Sequence, residues 1–359
     1  MKLLCLTTFP VEAAATRYRC VQFFSYLADH GFECRLRPFL SPELFGKFYS
    51  KGRVVAKAAQ LGLATLSRLA DIARPECDLV LVQREAALFG PPAIEWFLAR
   101  ILKKPLVFDF DDAIYVPYIS PTYGRLASAL KFPRKTEANI VLSRHVIAGN
   151  RLLADYAARF NQNVTIIPTV VDVGRYRVEE KRVSAGLPIL GWIGSPTTTQ
   201  YLKPIIPVIR DLSQRHHFAF RVVGANERIQ IDGVAVQNEP WRMEREIGDF
   251  QSLDIGLYPV TEDQWSVGKS GFKAIQYMAA GVACIASPVG VIKEIIQDGV
   301  NGLVASTPEQ WLEKLSLLIK DPELRIRLGA AGQQTIEQSY SLDVHAPRLL
   351  AVLQAAART

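Results

Sequence analysis

Short apolar runs alternate with amphipathic helical stretches from one end of this 359-residue chain to the other. That rhythm is the mark of parallel α/β construction, because parallel strands need a crossover between them, usually a helix, and lie buried on both faces. In the first half, Lys2–Thr7, Cys34–Pro38, Leu79–Gln83, Leu106–Phe110, either Ile140–Ser143 or His145–Ala148, and Val164–Ile167 read as strands. Helices are expected over Tyr18–His30, Ala93–Leu102 and Asn150–Phe160. After Pro168 the charged stretch Val173–Leu187, with Arg175, Arg177, Glu179, Glu180, Lys181 and Arg182, reads as a linker. The alternation then restarts. Ile189–Ile193, Phe218–Val223, Ile255–Tyr258, Ala283–Ala286 and Leu303–Val304 read as strands, and Thr198–Arg215, Gly271–Ala280, Val291–Gln297 and Pro308–Lys320 as helices. The expectation is two doubly wound α/β domains facing across a cleft: an N-terminal domain over 1–168, a linker over 169–188 and a C-terminal domain over 189–338. A last helix over 342–357 is expected to pack back on the N-terminal domain. Ligands of such sheets bind outside the carboxyl ends of the strands.

The length suits two domains, each with its own core, and no run approaches the roughly 20 apolar residues of a membrane span. Leu3-Leu4-Cys5-Leu6 is too short for a signal peptide, and Pro10 and Glu12 interrupt the approach to any cleavage site, so it reads as a buried first strand. The five cysteines are scattered and never spaced as CxxC, which argues against a disulfide framework or a zinc site and fits a reducing cytoplasm. His216 and His217 are adjacent and would point apart on a helix, so they make a poor chelate. A net charge of +7 admits anionic partners. Between Leu44 and Arg74, the cations Lys47, Lys51, Arg53, Lys57, Arg68 and Arg74 face only Asp71, with Leu61, Leu63, Leu66, Leu69 and Ile72 interleaved. Residues 44–74 therefore read either as an outer helix with a solvated basic face or as a basic amphipathic helix resting on an anionic membrane. Nucleic acid has only the net charge behind it and is not expected as a partner.

The stretch from Gly268 to Gly281 is the strongest candidate for chemistry. With Ser270 as cap, Lys269, Lys273 and Gln276 fall on one helix face, beside the free N–H groups of the first turn. Two cations there oppose the helix dipole and repel each other, so the arrangement suits an anion such as phosphate, with Gly271 and Phe272 at the approach; a solvated lysine face is the alternative. Gly194-Ser195-Pro196-Thr197-Thr198 offers N–H groups and hydroxyls at a strand end, and Gly224 ends another strand. Trp241 could stack on a nucleobase or belong to the core. In the first half, Asp109, Asp111 and Asp112 gather three carboxylates at a strand end, with Asp109 and Asp111 in period two. Close carboxylates are costly unless cations, hydrogen bonds or chemistry compensate. They read as hydroxyl ligands, a general base, a metal site or a helix cap. Arg17, near a helix start, is expected to reach a phosphate or this cluster, or to lie at the surface.

Taken together, these segments resemble the retaining glycosyltransferases of the GT-B fold, family 4 (glycosyl transferases group 1). The resemblance rests on Ile189 to Pro196, Leu253 to Pro259, Gly268 to Gly281, Ser287 to Gly290, Glu294-Ile295-Ile296, Asp298 to Gly302 and the turn Ile166 to Asp172. It implies two Rossmann-like domains, a nucleotide-diphosphate sugar donor bound by the C-terminal one, and a saccharide or lipid-linked acceptor held by the N-terminal one. Two departures stand out. The family's Glu-x7-Glu is replaced, with Gly268 at the first position and Gln276 at the second. The usual diphosphate-gripping Arg and Lys are missing: Ser195 stands at the Arg position, and Gln200 and Lys203 lie near the Lys position. Lys269 and Lys273 are expected to restore the lost charge, and Glu262 or Asp263 to contact the sugar ring.

The expected activity is metal-independent glycosyl transfer with retention, in cell-surface polysaccharide or glycan synthesis, with no cofactor. Lys269 and Lys273 would stabilise the leaving diphosphate, and Asp111 and Asp112 would position hydroxyls. Gly194, Ser195, Thr197, Gly224, Trp241, Gly271, Phe272 and Gln276 would contact the donor, while Arg17 and Asp109 would lie on the acceptor or phosphate side. A cytoplasmic protein, peripheral on the inner face of a bacterial plasma membrane, would suit such acceptors. The alternatives are a nucleotide-sugar epimerase of the same fold and a non-catalytic nucleotide-sugar-binding protein.

Overall fold

The structure is a computed structural model that describes residues 1–48, 52, 54–73, 75–117, 132, 134–177 and 186–358. The chain divides into two compact units, residues 1–170 together with 342–359, and residues 171–341. Part of the expected linker, with Glu179, Glu180, Lys181 and Arg182, lies outside the described residues.

The first unit is built on a six-stranded sheet of β1 (Lys2–Thr7), β2 (Glu33–Pro38), β3 (Leu79–Gln83), β4 (Leu106–Phe110), β5 (His145–Ala148) and β6 (Val164–Ile166), in the order β2-β1-β3-β4-β5-β6. Every neighbouring pair is parallel. Side chains alternate between faces, so Leu4, Leu6, Val80, Val82, Phe108 and Phe110 enter one core layer. Leu3, Cys5, Leu79, Leu81 and Val107 enter the other, which the helix Leu342–Arg358 covers with Leu349, Val352 and Leu353.

The second unit repeats the plan with β7 (Ile189–Ile193), β8 (Ala219–Val223), β9 (Val236–Glu239), β10 (Ile255–Tyr258), β11 (Ala283–Ala286) and β12 (Leu303–Val304). Their order is β12-β11-β10-β7-β8-β9, again parallel throughout. The winding direction reverses between β7 and β10, which is the topological switch point of this sheet. These two strands pair only at Ile255–Leu190 and Gly256–Gly191. Beyond that, the Ile193 N–H donates to the Tyr277 hydroxyl at 2.8 Å instead of to a strand. The Tyr277 ring lies where a Cβ on Gly256 would fall 2.3 Å from its Cδ1. The strands therefore part at their carboxyl ends around a buried phenol.

Several local expectations need correction. The helix expected over Tyr18–His30 is broken at Cys20 into Ala14–Arg19, the 3-10 turn Val21–Phe23 and Phe24–Asp29. Thr198–Arg215 is likewise divided by the 3-10 turn Lys203–Ile205. The strand alternatives near 140–148 resolve to His145–Ala148, because Ile140 belongs to the helix Lys135–Leu142. The expected basic face over 44–74 is inverted: on the helix Val54–Ala73, Lys57 and Arg68 are buried, while Leu63, Leu66 and Leu69 are exposed. Lys51, Arg53 and Arg74 lie outside the described residues. Among the described residues, no helix is long and apolar enough to cross a membrane.

Candidate active site

In the second unit, the loops after β7, β8 and β9 meet through two glycines. A Cβ on Gly194 would fall 2.2 Å from Trp192 ring carbons and 2.8 Å from Thr198 Oγ1. Gly224 has φ +79°, and a Cβ there would lie 2.5 Å from the Gly194 carbonyl oxygen and 3.1 Å from Trp241 Cβ. Only glycine permits this approach, so Gly194, Gly224 and the half-buried Trp241 share one corner. Ser195 and Thr197 belong to a turn that satisfies itself. The Ser195 N–H donates to Thr198 Oγ1 at 2.8 Å, that hydroxyl donates back to the Ser195 carbonyl at 3.0 Å, and Ser195 Oγ lies 3.1 Å from Thr197 Oγ1. Thr199 Oγ1 accepts from the Asn226 N–H at 3.2 Å and ties this loop to the one after β8. Lys203, near the family's Lys position, forms an exposed ion pair with Glu227 at 2.9 Å.

The segment after β10 departs from the sequence expectation. Gly271, not Ser270, is the N-cap of the helix Phe272–Ala279, and it sits at φ 65°, in the left-handed region. Lys269 precedes the helix in extended backbone. The two lysines therefore do not share a helix face. The Lys269 ammonium lies 4.2 Å from the Tyr201 ring centroid, within cation–π range. Tyr201 belongs to the helix Thr199–Leu202 that follows the β7 loop, so Lys269 spans the switch point from the β10 side. The Lys273 ammonium instead lies 5.0 Å from the Phe250 ring centroid and donates to Gln276 Oε1 at 2.8 Å. Gln276 is fully buried, and its amide nitrogen lies 2.9 Å from the Tyr176 hydroxyl and 3.5 Å from Glu246 Oε1. That occupancy corrects its expected place as a ribose ligand: Gln276 and Lys273 brace the helix from inside. Phe272 opens the helix half-buried. Asp263, considered as a sugar contact, accepts from the Trp265 and Ser266 N–H groups at 2.9 and 2.7 Å and shapes the loop ahead of Lys269.

In the first unit, the three carboxylates are paired with two arginines, Arg19 and Arg84, that the sequence did not single out. Asp109, at 2% exposure, is held bidentately by Arg19, whose Nη1 also donates to the Ile167 carbonyl at 2.7 Å. Burial opposes the charge on Arg19, but Asp109 outweighs it and raises the guanidinium pKa. Burial pushes the Asp109 carboxyl up, with Arg19 only partly countering. Arg84 occupies φ 63°, a conformation uncommon outside glycine. From there Nη2 reaches Asp111 Oδ1 at 2.8 Å and Asp112 Oδ2 at 2.5 Å. Burial would raise the Asp111 pKa, yet Arg84, then Arg19, outweigh it and hold the carboxyl below its usual range. Gly149 lets the chain in close, since a Cβ there would fall 2.8 Å from Asp111 Cα.

Two site assignments change accordingly. Asp109 is sealed within β4, an interior strand, by Arg19 and does not present itself to an acceptor or phosphate. Arg17 does not reach the cluster; its Nη1 donates to the Val11 and Glu12 carbonyls at 3.1 and 2.8 Å. Of the three aspartates, only Asp112 keeps a fifth of its side chain exposed. The clue in the sequence was electrostatic: three carboxylates at one strand end require cations from neighbouring strand ends, and Arg84 directly follows β3. Among the described residues, no group of three or more His, Cys, Asp or Glu side chains is placed to hold a metal ion.

Comparison with known proteins bears on the same segments. Residues 188–321 match the family described as Glycosyl transferases group 1. An uncharacterized glycosyltransferase of Methanocaldococcus jannaschii is 41% identical over 66 residues, 18% of this chain and 19% of that protein. The chain spans less than half the length of the curated relatives it matches. The crystal structure of a glycosyltransferase from Rickettsia africae superposes with a TM-score of 0.70 at 14% identity, covering 100% of this chain and 98% of that one. The Anabaena HepE structure in complex with UDP-glucose gives 0.68 at 14% identity, over 99% and 100%. The chain thus has the two-domain α/β architecture of GT-B glycosyltransferases, and its segment 188–321 carries the sequence pattern of the group 1 glycosyl transferases.

Proposed function

We propose that the protein transfers a sugar from a nucleoside-diphosphate sugar to a saccharide or lipid-linked acceptor, with retention at the anomeric carbon and without a metal. The observation that carries this reading is the Lys269 ammonium at the β7–β10 switch point, over Tyr201, inside the segment that matches the group 1 family. As the glycosidic bond breaks, negative charge builds on the leaving diphosphate. A cation already held in place stabilises that charge without reorganisation. The Ser195 and Thr197 hydroxyls of the Gly194–Thr199 turn contact the donor, and Gly224 and Trp241 flank its nucleoside. Gly271, with the first N–H groups of the helix Phe272–Ala279, faces the diphosphate. Lys273 and Gln276 act through the helix they brace. On the acceptor side, Asp112 accepts a hydrogen bond from an acceptor hydroxyl, and Asp111 and Arg84 hold it there. The leaving phosphate takes the acceptor proton, so no covalent enzyme intermediate is needed. The fold's occurrence with UDP-glucose in HepE puts UDP-sugars first among donors to test.

The test is a thermal-shift panel of nucleoside-diphosphate sugars, because a ligand that binds the native state raises Tm. At least one donor is expected to raise Tm, and Lys269→Ala to weaken its binding by about tenfold or more, as removal of one charge-assisted contact implies. An equal shift in wild type and Lys269→Ala would remove Lys269 from the site. The absence of a shift with every donor would refute the reading. Product analysis without acceptor separates transfer from epimerisation, and nucleotide release with acceptor separates it from binding alone.

A further inference from the structure

The helix Val54–Ala73 is inside out. Its 20 residues form a rod about 30 Å long. The described charged side chains of this helix, Lys57, Arg68 and Asp71, all lie on the inward face with Leu61, Ala64 and Ile72. Arg68 is 1% exposed; Nη2 donates to the Thr7 carbonyl at 3.1 Å, while Nε and Nη1 have no hydrogen-bond partner. Burial pulls its pKa down to about 10 against the pull of Asp71 and Glu95. The outward face is Val55, Ala59, Gly62, Leu63, Leu66, Leu69, Ala70 and Ala73, with no charge on it. Val55 is 84% exposed, Leu63 66% and Leu66 63%. Thr65, beside the stripe, turns its hydroxyl back to the Leu61 carbonyl at 2.9 Å. A surface helix in water ordinarily shows the opposite arrangement.

We infer that this face lies in the surface of an anionic phospholipid bilayer, its leucines among the acyl chains. Two observations favour lipid over protein as the occupant. The stripe is valine, leucine, alanine and glycine, and it lacks the aromatic, methionine and arginine anchors that protein interfaces concentrate. Its flanks in sequence are cationic: Lys47, Lys51 and Arg53 precede the helix and Arg74 follows it, against Glu43 and Glu76, while Lys57, Arg68 and Asp71 face inward. Basic residues beside an apolar helix complement the negative potential of such a membrane. The helix is not apolar enough throughout to cross a membrane, so on this reading it rests on the bilayer rather than spanning it. Lipid contact here is independent of donor binding, which belongs to the other unit.

Flotation of the full chain with vesicles tests it. The protein is expected to float with vesicles of phosphatidylcholine and phosphatidylglycerol, and less with phosphatidylcholine alone. The double substitution Leu63→Glu and Leu66→Glu is expected to weaken binding by about tenfold or more, since each removes a buried Leu from the apolar layer. Leu63→Ala with Leu66→Ala, which adds no charge, should fall between and keeps the test valid if the Glu variant folds poorly. Failure of the wild type to float, or equal flotation of the Ala and Glu variants and wild type, overturns the inference. Concentration-dependent self-association that the Glu variant abolishes, without flotation of the wild type, would assign the face to a second copy. The donor thermal shift, measured without vesicles, reports separately on the other unit.

Discussion

A single charge balance explains why three aspartates can share the end of β4. Asp109, Asp111 and Asp112 meet Arg19 and Arg84, and the two guanidiniums leave the group one charge from neutral. Breaking such a pair from one side strands a carboxylate in a poor dielectric. Arg84→Ala is therefore expected to cost about 3 kcal/mol of stability at neutral pH, measured by urea unfolding. The sign of its pH dependence comes from Asp111, whose folded pKa lies below its unfolded one. That group contributes stability above about pH 4 and loses it as the pH falls through the lower folded value. The gap between Arg84→Ala and wild type should accordingly narrow on acidification. A gap that stays constant down to acid would show that Arg84 works through packing or its backbone conformation instead. Lys269 poses the complementary case: its value is expected in donor affinity, with little effect on folding.

Among elements, the β7–β10 pair forms the topological switch point of the second unit. Two register pairs hold the strands together, and the Tyr277 hydroxyl then takes over the Ile193 N–H. Tyr277→Phe keeps the ring and removes that acceptor, leaving a buried donor unsatisfied. The expected cost is about 1–3 kcal/mol by denaturant unfolding, with weaker donor binding because Ile193 leads into the Gly194–Thr199 turn. Unchanged stability would mean that water replaces the contact. Strand positions were readable because parallel strands are continuous apolar runs, and β1, β3, β4, β7, β10, β11 and β12 fall at the expected residues. The edge strand β9, Val-Gln-Asn-Glu, was not, since one side chain in four is apolar. The N-cap at Gly271 was missed for a related reason. Ser270 has the usual capping chemistry, whereas the left-handed turn at Gly271 is imposed by close packing, with a Cβ there 2.8 Å from Ile295 Cδ1.

For the whole molecule, the chain's last helix belongs to the same unit as its first strand. Leu342–Arg358 places Ala346, Leu349, Val352, Leu353 and Ala356 in the core layer of Leu3, Cys5 and Leu79. Removing 342–359 strips that layer of on the order of 5 kcal/mol of apolar burial, comparable to the net stability of a domain. Calorimetry of the truncated chain is expected to lose or sharply lower the transition of the first unit, while residues 171–341 keep theirs. A single unchanged transition would show that the helix is dispensable. Vesicle binding belongs to this scale too, because the uncharged face of Val54–Ala73 matters only to something outside the molecule.

The sequence by itself determined the parallel α/β plan and most strand positions, because hydrophobic periodicity is a local property of the chain. It did not determine which cation meets which carboxylate. Arg19 comes to Asp109 from the end of the helix Ala14–Arg19, and Arg84 to Asp111 from the turn after β3, through a register set by the assembled sheet. Nor could it say which face of Val54–Ala73 turns inward. A helix with cations on one side and leucines on the other is expected to bury the leucines, and only tertiary packing, with the Thr7 carbonyl waiting for Arg68, reversed the choice.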